Sequence, residues 1–147
     1  MKDTQRAIQN LIQFGTITQT KVSDGKMLAR VKVDDDRETN FFPVQTFGNS
    51  FKRKAEPIRA NEQVMVLCPK GNADVGVILR GLLNVHCEEP DEYSDTKEVT
   101  EYEDGTTISY DTESSTLEVS CVGDIEIIST GDISLRGSRI YINEDKE

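Results

Sequence analysis

The feature that most constrains this chain is a short repeat near its C-terminus. Gly123-Asp124-Ile125-Glu126-Ile127 recurs eight residues later as Gly131-Asp132-Ile133-Ser134-Leu135. A weaker third copy, Gly137-Ser138-Arg139-Ile140-Tyr141-Ile142, follows at slightly shorter spacing. Upstream, Leu117 and Val119 stand eight residues before Ile125 and Ile127. Each unit is an apolar-x-apolar strand, a polar stretch and a glycine. A repeat this short holds one strand and one turn, and it cannot bury its own apolar face. Either a single-chain solenoid or several chains wound together would cover it. The units are few for a solenoid with two open ends, and open strand edges invite pairing. Three identical chains intertwined about an axis meet both needs, because each edge then finds a neighbour. That arrangement turns the stripe Leu117, Val119, Cys121, Ile125, Ile127, Ile133, Leu135, Ile140 and Ile142 toward the axis. The competing arrangement is an ordinary antiparallel meander packed on the preceding domain. The regular Gly-Asp punctuation favours the trimer.

Composition points the same way. Only 35% of the chain is apolar, which is poor for a self-sufficient globule. The net charge of −10 makes the chain a weak candidate for general nucleic-acid binding, since phosphate backbones repel it. Residues 1–87 are net basic, whereas 88–104 hold nine acidic residues against Lys97 alone and 105–147 are acidic again. No run approaches the roughly 18 apolar residues of a membrane-spanning helix. The start, Met1-Lys2-Asp3-Thr4-Gln5-Arg6, has no apolar run after its charges and does not read as a secretory signal. Cys68, Cys87 and Cys121 are odd in number and far apart, so they read as reduced thiols.

The first part of the chain reads as a small barrel. Ala7, Ile8, Leu11 and Ile12 predict a helix over 4–13, capped by Asp3 or Thr4 and ended by Gly15. Gly15 to Val22 is strand-like, and Ser23-Asp24-Gly25-Lys26 is a hairpin turn. Met27 to Val33 alternates, with Met27, Ala29, Val31 and Val33 on one face. Asn40 to Val44, Gln63 to Cys68 and Val75 to Leu82 complete five short strands, with a long polar loop over 45–61. Such a set fits a closed barrel of the OB type. Residues 88–104 read as a solvated acidic connector. The predicted organisation is all-β: an arm over 1–14, an OB-fold barrel over 15–87, the connector over 88–104 and an intertwined triple-stranded β-helix over 105–147.

Catalytic and metal-binding patterns are absent from the sequence. His86, beside Cys87, lacks further ligands for a metal and partners for a triad. The connector's carboxylates lack the turn glycine and spacing of an oxygen-ligand loop. No two carboxylates are paired in an apolar setting. The expectation is therefore a non-enzyme with no cofactor. Lys52-Arg53-Lys54, near Phe47 and Phe51, opens a rival reading as an OB-fold binder of single-stranded nucleic acid. A solvated loop or a protein-docking patch is the plainer alternative.

Taken in order, these segments resemble the baseplate assembly protein V family, the central tail spike of contractile-tailed phages. The barrel part matches in Phe14-Gly15-Thr16-Ile17, Ala29-Arg30-Val31-Lys32-Val33, Phe42-Pro43-Val44, Glu62-Gln63-Val64-Met65-Val66-Leu67-Cys68-Pro69 and Gly76-Val77-Ile78-Leu79-Arg80-Gly81-Leu82. The tail part matches in Tyr102-Glu103-Asp104-Gly105-Thr106-Thr107-Ile108-Ser109-Tyr110-Asp111, followed by the Gly-Asp-Ile repeats. The resemblance implies a homotrimer in the virion, with the barrel seated in the baseplate hub and a β-helix that pierces the host envelope. The spike of a phage-derived injection machine would share every one of these features. Longer members of the family bind iron at the tip through a His-x-His motif. Here the one histidine is His86, so the iron site is not carried over, and a separate tip protein is expected at the C-terminal end. Related spikes insert an enzyme domain between barrel and helix; the gap in this chain is too short for one.

Overall fold

The computed structural model describes residues 1–143, and the chain forms two compact units, Met1–Glu89 and Pro90–Glu147. The first contains helix α1 (Lys2–Leu11) and strands β1 (Ile12–Ser23), β2 (Lys26–Asp34), β3 (Arg37–Glu38), β4 (Phe42–Pro43), β5 (Gln63–Leu67) and β6 (Val77–Leu82). The predicted β1–β2 hairpin forms. Asp24 and Gly25 both take positive φ, 51° and 71°, which is the backbone a two-residue hairpin loop needs to match the strand twist.

The strands pair in the order β3-β2-β1-β5-β6. Strand β4 then closes the ring. Phe42 pairs antiparallel with Ala29 of β2, and Val44, just beyond β4, forms a parallel bridge with Ile78 of β6. The Gln45 N–H donates to the Ile78 carbonyl at 2.9 Å. Closure leaves few open strand edges and creates an interior. Ile17, Ala29, Val31, Phe42, Val44, Ile58, Val64, Val66, Cys68 and Ile78 fill it. Met27 and Val33 pack at its margin, as the alternation of β2 requires. Burial pushes the Cys68 thiol up, against a weaker pull downward from Arg37, so it behaves as a core side chain.

The helix ends earlier than its apolar spacing predicts. Ile12 already has φ −138° and ψ 124°, because Ile12 and Phe14 pair with Leu67 and Met65 of β5. Gly15 therefore lies inside β1 rather than at a helix stop. Helix α1 is held by a polar cluster. Buried Asn10 donates to the Gly71 carbonyl at 3.2 Å, and its Oδ1 accepts from Gln13 and from Arg37. Gly71 sits in a short 3-10 turn, Pro69–Gly71, at φ 68°. A Cβ there would run into the Ala7 backbone, so the helix seat requires glycine.

Loop 45–61 returns over the barrel, buries Ile58 in its core and is held further by one side chain of β6. Arg80 of β6 donates from Nε to Glu62 Oε2 at 2.9 Å and from Nη2 to Oε1 at 2.8 Å. The same guanidinium reaches the carbonyls of Glu56 and Pro57, and Glu62 also accepts the Arg59 N–H at 2.8 Å. Both side chains are about four-fifths buried, so water screens this pair less than it screens a surface pair.

The second unit contains β7 (Lys97–Glu101), β8 (Thr107–Asp111) and β9 (Thr116–Ser120), a three-stranded antiparallel meander. The segment 88–104, expected as a solvated connector, thus contributes a strand. Val99 and Thr100 suit a strand, and Gly105 at φ 88° turns the chain so that Glu101 pairs with Thr107. Residues 97–120 form this meander within one chain, while the repeats after Ser120 form no strand in it. The last four residues of the expected β-helix, 144–147, lie outside the described residues.

The Arg80 fork predicts the barrel's weakest point. Arg80→Ala should lower the stability of the first unit by about 1.5–3 kcal/mol, read as a drop in its urea midpoint. Arg80→Lys should recover only part of the loss, because an ammonium cannot make the two-pronged contact.

Candidate functional site

The second unit holds the candidate site, and its defining property is the lack of an interior. Every buried residue of the described chain lies in the first unit, and none of residues 90–143 is buried. The predicted stripe is open to solvent in the single chain. Leu117, Val119, Ile125, Ile127, Ile133, Leu135, Ile140 and Ile142 are all exposed, between 52% and 71%. Cys121 is half-buried; Thr106 Oγ1 lies 4.0 Å from its Sγ, and the Sγ lies 3.6 Å from the Asp124 carbonyl. Large apolar side chains exposed in this number are a common mark of a surface that contacts a partner.

The first three bends of the backbone after Ser120 follow the period of the sequence. After Ser120 the described residues form no strand ladder within the chain. The chain bends at Val122–Gly123, at Thr130–Gly131, at Ser138 and, four residues later, at Ile142–Asn143, with unbent runs between. The bends fall at the glycines of the first two units and keep the eight-residue step at Ser138, although the third glycine, Gly137, comes early. Each unbent run carries backbone donors and acceptors with no strand partner of its own. Such groups need a neighbour or water.

The meander continues this apolar surface, and here the sequence reading missed two residues. Ile108 pairs with Val119 and Tyr110 pairs with Leu117, so all four share one face of the sheet. All four are exposed. The alternation Thr107-Ile108-Ser109-Tyr110-Asp111 carried the signal, since its apolar members recur with period two.

The remaining candidate residues are scattered. His86 is exposed, and its N–H donates to Asn84 Oδ1 at 2.8 Å within a small turn closed by Asn84 and Cys87. Among the described residues no group of three His, Cys, Asp or Glu side chains lies close enough to hold a metal. Phe47 and Phe51 are 79% and 96% exposed, on a loop tightened by Asn49, whose Oδ1 accepts from the N–H groups of Phe51 and Lys52. Lys54 of the same cluster pairs with Glu56 at 2.6 Å, which holds the Glu56 carboxyl below its usual range. The chain matches no protein-family model and no curated protein.

The turn that enters the meander gives a pH test of its order. The Thr106 N–H donates to Asp104 Oδ1 at 2.8 Å, and the Thr106 hydroxyl adds to this, holding the Asp104 carboxyl below the ordinary value. A depressed carboxyl favours the folded turn above its unfolded pKa of about 3.9 and loses that effect as pH falls through the folded value. Asp104 should therefore titrate below about 3.9 in carboxyl NMR. Asp104→Asn should remove the acid-side loss of Thr106 amide protection.

Proposed function

We propose that this chain is the subunit of a homotrimeric tail spike, at the centre of the baseplate of a contractile-tailed phage or of a related injection machine. The observation that carries the reading is the apolar stripe of residues 117–142, left exposed by its own chain and bent on an eight-residue step. Three chains wound about one axis bury that stripe and pair the open backbone groups together. The outer surface then carries the acidic residues, which keeps a narrow shaft soluble.

An OB-type barrel in the first unit is supported by the ring order β1-β2-β4-β6-β5 and by the single parallel contact, between the β4 segment and β6. In this reading the barrel seats the trimer in the tail hub, and the β-helix meets the host envelope when the tail contracts. The role is mechanical, and no catalytic residue or cofactor takes part in it.

Light scattering on the purified chain should give three times the chain mass, unchanged on dilution. Ile127→Asp is the decisive variant. Burying one isoleucine contributes roughly 1.5–3 kcal/mol, and the position counts three times in a trimer. Three carboxylates around the axis should abolish assembly. A folded monomer of the unaltered chain at micromolar concentration would refute the proposal.

The exposed Phe47 and Phe51 beside Lys52 and Arg53 favour one rival, a barrel that binds single strands by stacking and phosphate contact. A labelled oligonucleotide should show no micromolar binding in fluorescence anisotropy, given the net charge of −10. Binding that weakens steeply with salt, and is lost when Lys52, Arg53 and Lys54 become Ala, would establish the rival instead.

A further inference from the structure

The barrel has an apolar wall that its own unit leaves uncovered. On strands β1, β5 and β6, Phe14 pairs with Met65 and Met65 with Leu79; one step along, Ile12 pairs with Leu67 and Leu67 with Val77. Paired residues of adjacent strands share a face, so these six side chains form two parallel rows. The intervening residues Val64, Val66 and Ile78 point the other way, into the core. The rows are therefore on the outside. Ile12 and Phe14 are 59% and 58% exposed and Val77 is 38% exposed, while Met65, Leu67 and Leu79 are half-buried among them. In a chain that is 30% charged, no charged residue stands in either row. Beside Phe14 the wall dips into an open depression bordered by Lys32, Asp34 and Asp35, a rim of mixed sign.

We infer that this wall is a barrel-to-barrel contact, covered by a second copy of the chain within the trimer. The inference rests on the trimeric reading above and extends it to the first unit. Size selects the occupant. Six side chains in this state expose a few hundred Å², well short of the roughly 800 Å² per partner that a free-standing interface buries. A freely diffusing partner would be held weakly there. Copies already joined through their C-terminal units meet at high effective concentration, so a small apolar face suffices. Charge agrees with size. Residues 1–87 are net basic, so copies of the barrel repel one another, and an uncharged wall is where barrels can approach without opposing like charges. The mixed rim of Lys32, Asp34 and Asp35 offers both signs to a rotated copy.

The absence of tryptophan from the chain makes a clean optical test possible. Full-length Phe14→Trp and Val77→Trp would report from opposite ends of the wall, and Phe51→Trp from a loop position that is 96% exposed. Mass by light scattering would be recorded on the same samples. The expected result is a trimer in which the two wall tryptophans emit at shorter wavelength, and are quenched severalfold less by acrylamide, than the same tryptophans in the Ile127→Asp background, while the Phe51→Trp reporter is alike in both. A trimer whose wall tryptophans are quenched as readily as in that background would overturn the barrel contact and leave the trimer standing. A monomeric mass for all three variants and the unaltered chain would overturn the trimer itself, and the barrel contact with it. Testing two wall positions guards against one substitution disturbing the strand.

Discussion

Burial is divided unequally along this chain, and the rest of its architecture follows from that division. A folded unit needs side chains removed from water to offset the entropy of ordering its backbone. The first 89 residues meet this need internally, through a closed ring of strands around ten buried side chains, from Ile17 to Ile78. The residues after Pro90 do not. They hold a three-stranded meander and a bent segment without strand pairing, yet none of the described residues among them is buried. Order without an interior is stable only when another surface supplies the interior. The repeat already presents its apolar side chains on a regular step, which is what an intertwined assembly uses.

The two units therefore solve opposite problems. In the first, closure is the key event. Strand β4 is only two residues long, but it joins β2 to β6 and removes the edges that an open sheet would expose. The long loop that closure requires is held by the Arg80–Glu62 fork, which supplies charge-assisted hydrogen bonds where backbone groups would otherwise lack partners. In the second, edges are kept open and apolar side chains are kept out. Its acidic residues oppose random pairing of the exposed segments through like-charge repulsion. The six-residue wall on the barrel has the same character on a smaller scale, an uncharged outer face on a unit that is otherwise complete.

Residue pairing also explains where local signals gave way. The apolar spacing of Ala7, Ile8, Leu11 and Ile12 predicts a helix reaching past Ile12. Pairing of Ile12 and Phe14 with β5 ends it at Leu11 instead, because two new strand contacts outweigh one more helical turn. The acidic segment reads as linker by composition, yet Lys97–Glu101 forms a strand once β8 is beside it. Propensity is a weak prior wherever a neighbouring strand can supply hydrogen bonds.

The amino-acid sequence by itself determined the features with short periods. The Asp24-Gly25 turn, the inward alternation of Ala29 and Val31, and the eight-residue stripe from Leu117 to Ile142 depend on residues within a few positions of one another. Their geometry is set by backbone sterics and by the two-residue period of a strand. The spacing of the stripe was legible for that reason, and the structure adds that its aliphatic members are exposed in the chain. Tertiary structure alone decided what depends on register between distant segments. The Arg80–Glu62 fork spans 18 residues, and Asn10 meets Gly71 across 61. Ile108 and Tyr110 join the face of Leu117 and Val119 only through the β8–β9 register. The outer wall of Ile12, Phe14, Met65, Leu67, Val77 and Leu79 exists only because β1, β5 and β6 align at one register. A shift of one residue would send those side chains to the opposite face, and nothing local to any one strand specifies that alignment.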